Sequence, residues 1–123
     1  MHWLSVALGG AFGAVCRYWV SVSLFPVTQY KFPLATLSVN VLGSLIMGIL
    51  YVIIVERAGL PDQTRTVLMV GFLGAFTTFS TFSLDALSLW QNGDQLMAVI
   101  YVVSTVFLCL LAIICAVWLT RLV

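Results

Sequence analysis

The sequence is short of charge. Only 7% of its 123 residues are Asp, Glu, Lys or Arg, whereas 63% are hydrophobic. A soluble domain needs about a quarter of its residues charged to cover its surface, so a soluble fold is excluded. The formal net charge of +1 provides no basic patch, which excludes nucleic acid as a partner. The mean hydropathy of +1.17 predicts a membrane protein.

Cysteine and proline are also scarce. Cys16, Cys109 and Cys115 all lie in apolar runs, and an odd number of buried thiols indicates neither a disulfide framework nor a metal site. The three prolines fall between the apolar runs, where they interrupt no helical hydrogen bond. The first residues lack the basic segment of a signal peptide, and the apolar run continues beyond the length of one. We therefore expect a retained transmembrane helix there.

Four apolar runs are long enough to cross a membrane, which takes roughly 20 residues. The runs cover about residues 3–25, 34–55, 66–90 and 96–120. Polar connections lie between them, at residues 26–33, 56–65 and 91–95. We predict an all-α membrane protein in which residues 1–123 form one four-helix transmembrane domain, with both termini on the same side.

Small residues in the first two runs predict close helix packing. Gly9 and Gly13 form a small-xxx-small pair, and Ser44 and Gly48 form another. This spacing lets the backbone of a second helix approach closely. We therefore interpret these residues as packing contacts.

Two polar side chains in the same runs have more than one interpretation. Arg17 lies about 10 Å from the predicted end of its helix. It either reaches the membrane interface or lines an aqueous vestibule and attracts anions. Asn40 either joins two helices by a hydrogen bond or, as the hydroxyl-rich third run favours, faces a pore.

The third run carries the most unusual pattern. Its midpoint falls at Thr77 and Thr78, and five of the seven residues from 77 to 83 carry a hydroxyl. Gly71 and Gly74 weaken the helix before this point, and Thr and Ser side chains bend helices by bonding to nearby backbone. A break would leave carbonyls that protein or an ion must satisfy. We predict a third helix broken at mid-membrane.

Aromatic residues recur at every third position of this run, at Phe76, Phe79 and Phe82. Such a stripe usually packs in a core, but the positive edges of aromatic rings also suit an anion path. Asp85 follows one turn later, and its carboxylate is either solvated or bonded to the polar run.

The fourth run is the most apolar. Tyr101, Ser104 and Thr105 are the polar residues near its start, and the i, i+3 and i, i+4 spacings place them near one face. They either pack helices together or continue a polar track from the third run.

The distribution of basic residues gives little topological bias. The side that holds both termini receives three arginines, and the other side receives Lys31 and Arg17. So weak a positive-inside signal permits insertion in both orientations and hence an antiparallel dimer. Four short helices barely surround a pore, so a path at a symmetric oligomer interface is more economical.

Three motifs together carry a resemblance to a known family. They are Gly9-Gly10-x-x-Gly13-Ala14-x-x-Arg17-Tyr18, Asn40-x-x-Gly43-Ser44, and Gly71-Phe72-x-Gly74-x-x-Thr77-Thr78-Phe79-Ser80-Thr81-Phe82-Ser83. With these motifs the chain resembles the CrcB/Fluc family of fluoride channels over its whole length. The third motif is the most specific of them.

The resemblance implies a passive fluoride-selective channel, in the cell inner membrane, that exports F⁻ and relieves fluoride toxicity. It implies an antiparallel dual-topology homodimer with two pores in the lipid bilayer. It also implies a central structural Na⁺ that is not transported, held by the backbone carbonyls of Gly74 and Thr77.

The resemblance further assigns roles to individual side chains. It places the fluoride pore at Asn40, Phe79, Phe82, Ser80, Thr81, Tyr101 and Ser104. Arg17 corresponds to a vestibule arginine. Asp85 stands where the family pattern often has glutamate, and the resemblance leaves it as a residue for gating or relay with a side chain about one methylene shorter.

Physical chemistry agrees with this assignment. Fluoride is small, strongly hydrated and only accepts hydrogen bonds, so hydroxyls, an amide and ring edges can replace its water while still releasing it. The sequence contains neither a nucleotide-binding loop nor a catalytic constellation, so neither a pump nor an enzyme is supported.

Two alternatives stay open. A small dual-topology proton-coupled multidrug exporter needs a carboxylate inside the membrane, for which Asp85 is the only candidate. In a non-transporting assembly subunit, the polar residues would only join helices.

Overall fold

The computed structural model describes residues 2–26, 31–57 and 59–123. Its long helices are α1 (His2–Leu24), α2 (Leu34–Arg57), α3 (Asp62–Gln91) and α4 (Gln95–Leu122). Each is long and apolar enough to cross a membrane, which confirms the predicted all-α membrane fold. Residues 27–30 and 58, which belong to two predicted connections, lie outside the described residues.

Some helix boundaries differ from those predicted. α3 begins at Asp62 directly after Pro61, four residues earlier than expected, because a carboxylate in the first turn suits the positive end of the helix dipole. α2 continues to Arg57, so the second connection is shorter than predicted. The turn between α3 and α4 contains Gly93 with φ +88°, a left-handed conformation that favours glycine.

Polar contacts join the ends of α2 and α4. An Arg57 guanidinium nitrogen donates to the Thr120 carbonyl at 2.7 Å, which satisfies one of the last carbonyls of α4. Arg121 forms an ion pair with Glu56, and its Nε donates to a Glu56 oxygen at 3.1 Å. α2 and α4 are therefore fixed side by side where both end.

Glycines set the close contacts between helices, as predicted for the small-xxx-small pairs. A Cβ atom at Gly13 would collide with the backbone of Phe72 in α3, and one at Gly9 would collide with the Val67 carbonyl. A Cβ at Gly48 in α2 would lie 2.8 Å from the Cβ of Ala116 in α4. The packing role of these glycines is confirmed.

α3 consists of two segments, α3a (residues 62–76) and α3b (Phe79–Gln91). The residues between them have extended backbones, with ψ +160° at Thr77 and φ −153°, ψ +119° at Thr78. The Thr78 hydroxyl accepts a hydrogen bond from the Thr81 amide at 3.2 Å, so Thr78 caps the N-terminus of α3b.

The buried residues form two clusters on either side of this interruption. Val39, Leu73 and Phe76 form one, and the other joins α3b to α4 (Phe82, Leu89, Ala98 and Tyr101). Less than a third of the most apolar part of each long helix is buried within the chain. The remaining apolar faces suit lipid, because water would make their exposure costly.

Candidate functional site

A cavity of about 380 Å³, here called the central cavity, lies between α2, the interruption of α3 and α4. Its polar lining residues are Asn40, Ser44, Thr77, Thr78 and Thr105. The rings of Phe79 and Phe82 also line it. The cavity thus brings together residues from three helices that the sequence singled out separately.

Two further cavities lie nearby. The arginine cavity, of about 280 Å³, is lined by Arg17, Ser21, Thr36, Thr78 and Thr81 among others. The aspartate cavity, of about 310 Å³, includes Lys31 and Asp85 and shares Thr36 and Thr81 with the arginine cavity. The arginine cavity shares Thr78 with the central cavity. Shared lining residues therefore place the three cavities next to one another in a row.

Asn40 is paired with the interrupted backbone of α3. Its amide nitrogen donates to the Thr78 carbonyl at 2.9 Å, and its carbonyl oxygen accepts from the Thr78 amide at 2.8 Å. The structure thus shows the predicted hydrogen bond between helices, with Asn40 of α2 bonded to Thr78 of α3. An amide group has two N–H donors, so one remains available, and Asn40 also lines the central cavity. Its role in a pore stays a prediction.

Arg17 is half-buried near the end of α1 and lines the arginine cavity. Within the part of the chain that the structure describes, the only ion pair joins Arg121 and Glu56. The Arg17 guanidinium therefore has no described carboxylate partner to cancel its charge. A cation without a partner beside hydroxyls attracts anions.

Asp85 is bonded to two other helices. One of its oxygens accepts from the Thr36 hydroxyl at 2.7 Å and from the Tyr101 hydroxyl at 3.2 Å. Of the two interpretations from the sequence, the carboxylate is hydrogen-bonded, and it ties α3b to α2 and α4. Tyr101 is fully buried and packs on Phe82 with ring centroids 5.2 Å apart, and it does not line the central cavity.

The phenylalanine stripe divides at the interruption. Phe76 is buried in the core at 4% exposure, whereas Phe79 is 77% exposed. Phe79 and Phe82 form a tilted pair with centroids 5.4 Å apart and both line the central cavity. Their rings lie where an ion in this cavity would meet them.

The other predicted site residues lie in different surroundings. Ser80 and Thr81 are exposed. The Ser104 hydroxyl donates to the Tyr101 carbonyl of its own helix at 3.3 Å, and Ser104 lines none of the three cavities as the described residues define them. Gly74 is exposed, and a Cβ there would have only the Met69 carbonyl near it, at 3.8 Å. The roles predicted for these residues remain untested.

The residue pattern pointed to both Ser104 and Thr105, and the family resemblance placed Ser104 alone in the pore. Thr105 is 5% exposed and lines the central cavity. Its hydroxyl has no hydrogen-bond partner among the described residues, which is costly for a buried polar group. The available signal was the spacing of Tyr101, Thr105 and Cys109 at successive i, i+4 positions, which forms one stripe along α4.

Four membrane-length helices, with polar side chains in the cavities between them, define a multi-pass membrane protein. The sequence model of one family, described as "CrcB-like protein, Camphor Resistance (CrcB)", matches residues 4–117. The chain belongs to this family, which confirms the resemblance inferred from the three motifs.

Curated relatives carry the same name in several bacteria. "Fluoride-specific ion channel FluC" of Saccharophagus degradans is 58% identical over 97% of this chain and 89% of its own. The relative of the same name from Hahella chejuensis is 48% identical over 99% of this chain and 96% of its own. The one from Magnetococcus marinus is 50% identical over 87% of each chain. Relatives named as channels agree with the prediction that this chain is not an enzyme.

Proposed function

We propose that this chain is a passive fluoride-selective channel of the inner membrane, which lets F⁻ leave the cell and so relieves fluoride toxicity. The observation that carries the proposal is the row of three cavities with cationic and hydroxyl-bearing walls. The names of relatives that are 48% and 58% identical support fluoride as the ion.

The order of the cavities suits an anion. Arg17 lines the arginine cavity, where its positive charge raises the local anion concentration, and Lys31 lines the aspartate cavity together with the Asp85 carboxylate. Beyond Thr78, the central cavity offers the Asn40 amide and the Thr105 hydroxyl. Each is a neutral donor, so together they can replace the water of fluoride without holding it too tightly to leave.

A homodimer would complete the central cavity. Phe79 borders this cavity and is 77% exposed. Gly74 and Ser80, which are close to Phe79 in the sequence, are also exposed. No close contact within the chain requires glycine at position 74, so a contact with a second copy would explain the glycine there. A second copy on this face would cover these residues and give two equivalent pores. The weak charge bias between the two sides supports an antiparallel arrangement.

The interruption of α3 fits a structural Na⁺. In a continuous helix the Gly74 carbonyl would accept from the Thr78 amide, and the Thr77 carbonyl from the Thr81 amide. The Thr78 amide donates to Asn40 instead, and the Thr81 amide donates to the Thr78 hydroxyl. The carbonyls of Gly74 and Thr77 are therefore suited to hold a cation, which would neutralise them and add positive potential beside the pores.

The sodium site also depends on the dimer. Two carbonyls from one chain are too few to enclose a cation, and a second copy would supply two more. The mid-membrane break, the cation and the antiparallel dimer thus form one proposal, since each depends on the interruption at Thr77 and Thr78.

The exporter alternative has less support. Proton-coupled export needs a carboxylate where the substrate binds, and the described lining of the central cavity contains no Asp or Glu. Asp85 lies in the aspartate cavity and accepts two hydroxyl hydrogen bonds, which is a structural use of its charge. An assembly subunit would have no need for an Arg17 without an ion-pair partner or a buried Thr105 hydroxyl without a hydrogen-bond partner, as both are within the described residues.

The function is tested by fluoride release from proteoliposomes loaded with potassium fluoride, with valinomycin to carry the counter-ion and Na⁺ on both sides. We expect rapid fluoride efflux and far slower chloride efflux from vesicles loaded with potassium chloride. Protein-free vesicles are the control. Fluoride efflux no faster than in that control would refute the channel. Replacing Na⁺ by a large organic cation throughout purification tests the cation, and unchanged dimer stability and flux would refute it.

A further inference from the structure

The two cavities that adjoin the interruption of α3 meet at a single residue. Among the described residues, Thr78 alone lines both the arginine cavity and the central cavity. Its side chain and backbone are buried, at 9% exposure. Thr78 is therefore the wall between a cavity in which the Arg17 guanidinium has no described carboxylate partner and a cavity in which the Thr105 hydroxyl has no hydrogen-bond partner among the described residues.

This wall is held from two directions. On one side the Asn40 carboxamide binds both the amide and the carbonyl of Thr78, at 2.8 and 2.9 Å. On the other side the Thr78 hydroxyl accepts from the Thr81 amide at 3.2 Å and donates to the Thr81 hydroxyl oxygen at 3.1 Å. All the hydrogen-bonding groups of Thr78 are thus engaged, and such a saturated network is rigid.

The direction of these bonds has a consequence for Thr81. Its hydroxyl oxygen accepts from Thr78, so its own hydroxyl hydrogen is free to bond elsewhere. Thr81 lines the arginine cavity together with Arg17. An anion in that cavity can therefore meet a guanidinium and a hydroxyl donor that Thr78 has oriented.

We propose that Thr78 is a positioning residue for ion passage, whose hydroxyl orients Thr81 toward the anion and whose side-chain volume separates the arginine and central cavities. This inference rests on the proposed function, since it concerns fluoride passing from one cavity to the other. The Thr78 hydroxyl would increase fluoride flux. The volume of the Thr78 side chain would hinder chloride, which is larger and more weakly hydrated.

Three substitutions separate hydroxyl from volume. Thr78→Val keeps the volume and removes the hydroxyl, Thr78→Ser keeps the hydroxyl with less volume, and Thr78→Ala removes both. Thr66→Val is the matched control in the same helix, because the Thr66 hydroxyl donates to the Asp62 carbonyl at 2.8 Å in an exposed position. Each variant is reconstituted as the full chain, and fluoride and chloride fluxes are measured per folded protein, counted by size-exclusion chromatography before reconstitution.

We expect Thr78→Val to lower fluoride flux about tenfold, because the Thr81 hydroxyl, no longer oriented by Thr78, is lost as a donor to the charged ion. We expect Thr78→Ser to restore fluoride flux to within about twofold, and Thr78→Ala to raise chloride flux relative to fluoride. Thr66→Val is expected to match the unmodified chain. A residue that only capped α3b would reduce the amount of folded protein and leave the flux per folded protein and the ion ratio unchanged.

The inference is overturned if Thr78→Val and Thr78→Ala both fold and keep the fluoride flux and ion ratio of the unmodified chain. If the unmodified chain releases no fluoride, the proposed function fails instead. The wall is then tested by amide hydrogen exchange, where Thr78→Val should speed exchange at Thr81 about fivefold through loss of the cap. Equal exchange rates at Thr81 in Thr78→Val and in the unmodified chain would overturn the positioning role of Thr78 as well.

Discussion

Replacing Thr105 with valine removes one hydroxyl and leaves the side-chain volume nearly unchanged. The hydroxyl is buried and has no hydrogen-bond partner among the described residues, and Thr105 is 5% exposed. An unsatisfied buried polar group costs about 1–3 kcal/mol. We therefore expect Thr105→Val to raise the free energy of unfolding by about 1 kcal/mol. In contrast, fluoride flux should fall about tenfold, because the central cavity loses a donor to a charged ion.

This opposite movement of stability and flux is the informative result. Unfolding is measured by denaturant titration in detergent, and flux is measured with a fluoride electrode on proteoliposomes. Thr120→Val is the matched control, because the Thr120 hydroxyl donates to the Ala116 carbonyl of the same helix at 2.6 Å, away from the cavities. Normal flux in Thr105→Val would refute Thr105 as a donor. Lower stability would show that its hydroxyl is bonded to a structural partner.

Three further predictions follow from the same geometry. Phe79→Ile and Phe82→Ile should both block fluoride flux, while cross-linking shows that the dimer still forms. Only Phe82→Ile should lower the free energy of unfolding, by about 1 kcal/mol, because Phe82 is buried. Unchanged flux in both variants would refute the proposal that these rings line the pore. Asp85→Asn should lower the free energy of unfolding by about 1–3 kcal/mol because two hydroxyls lose a charged acceptor; equal denaturation midpoints would contradict this. Gly13→Ala should destabilise the fold by about 1–3 kcal/mol through collision with α3. Gly74→Ala should weaken only dimer formation, measured by size-exclusion chromatography, because a Cβ at position 74 has space within the chain. A Gly74→Ala variant that unfolds more easily but still forms the dimer would refute the proposed dimer face.

Local patterns in the sequence predicted the helices and their packing. Apolar runs fixed the number of spans, because a membrane requires a minimum length of apolar helix. The spacing of Gly9 and Gly13 predicted close approach, and a Cβ at either would collide with α3. These predictions succeeded because each depends on residues within one or two helical turns.

Contacts between distant residues could not be predicted in the same way. The pairing of Asn40 with Thr78 joins residues 38 positions apart, and the sequence, which favoured a pore-facing Asn40, could not identify this partner. Ser104 and Thr105 are neighbours that point about 100° apart on a helix. Which of them faces a cavity depends on the rotation of α4, and only its packing against α2 and α3b sets that rotation.

The phenylalanine stripe shows a different limit. A repeat of three residues predicts one face only if the helix is continuous. The extended backbones of Thr77 and Thr78 separate Phe76 from Phe79, so the first is buried at 4% exposure and the second is exposed at 77%. Because the helix is interrupted between Phe76 and Phe79, the three-residue repeat does not place these two rings on one face.

The pairing of Asn40 with Thr78 also bears on how the protein is made. In a bilayer, backbone groups without hydrogen bonds cost several kcal/mol each (roughly 2–7). An isolated α3 would therefore favour a continuous helix. Its interrupted form becomes favourable only when the carboxamide of α2 lies beside it. Because α2 precedes α3 in the chain, a ribosome delivers α2 to the membrane first, so the order of synthesis places the partner before the segment that needs it.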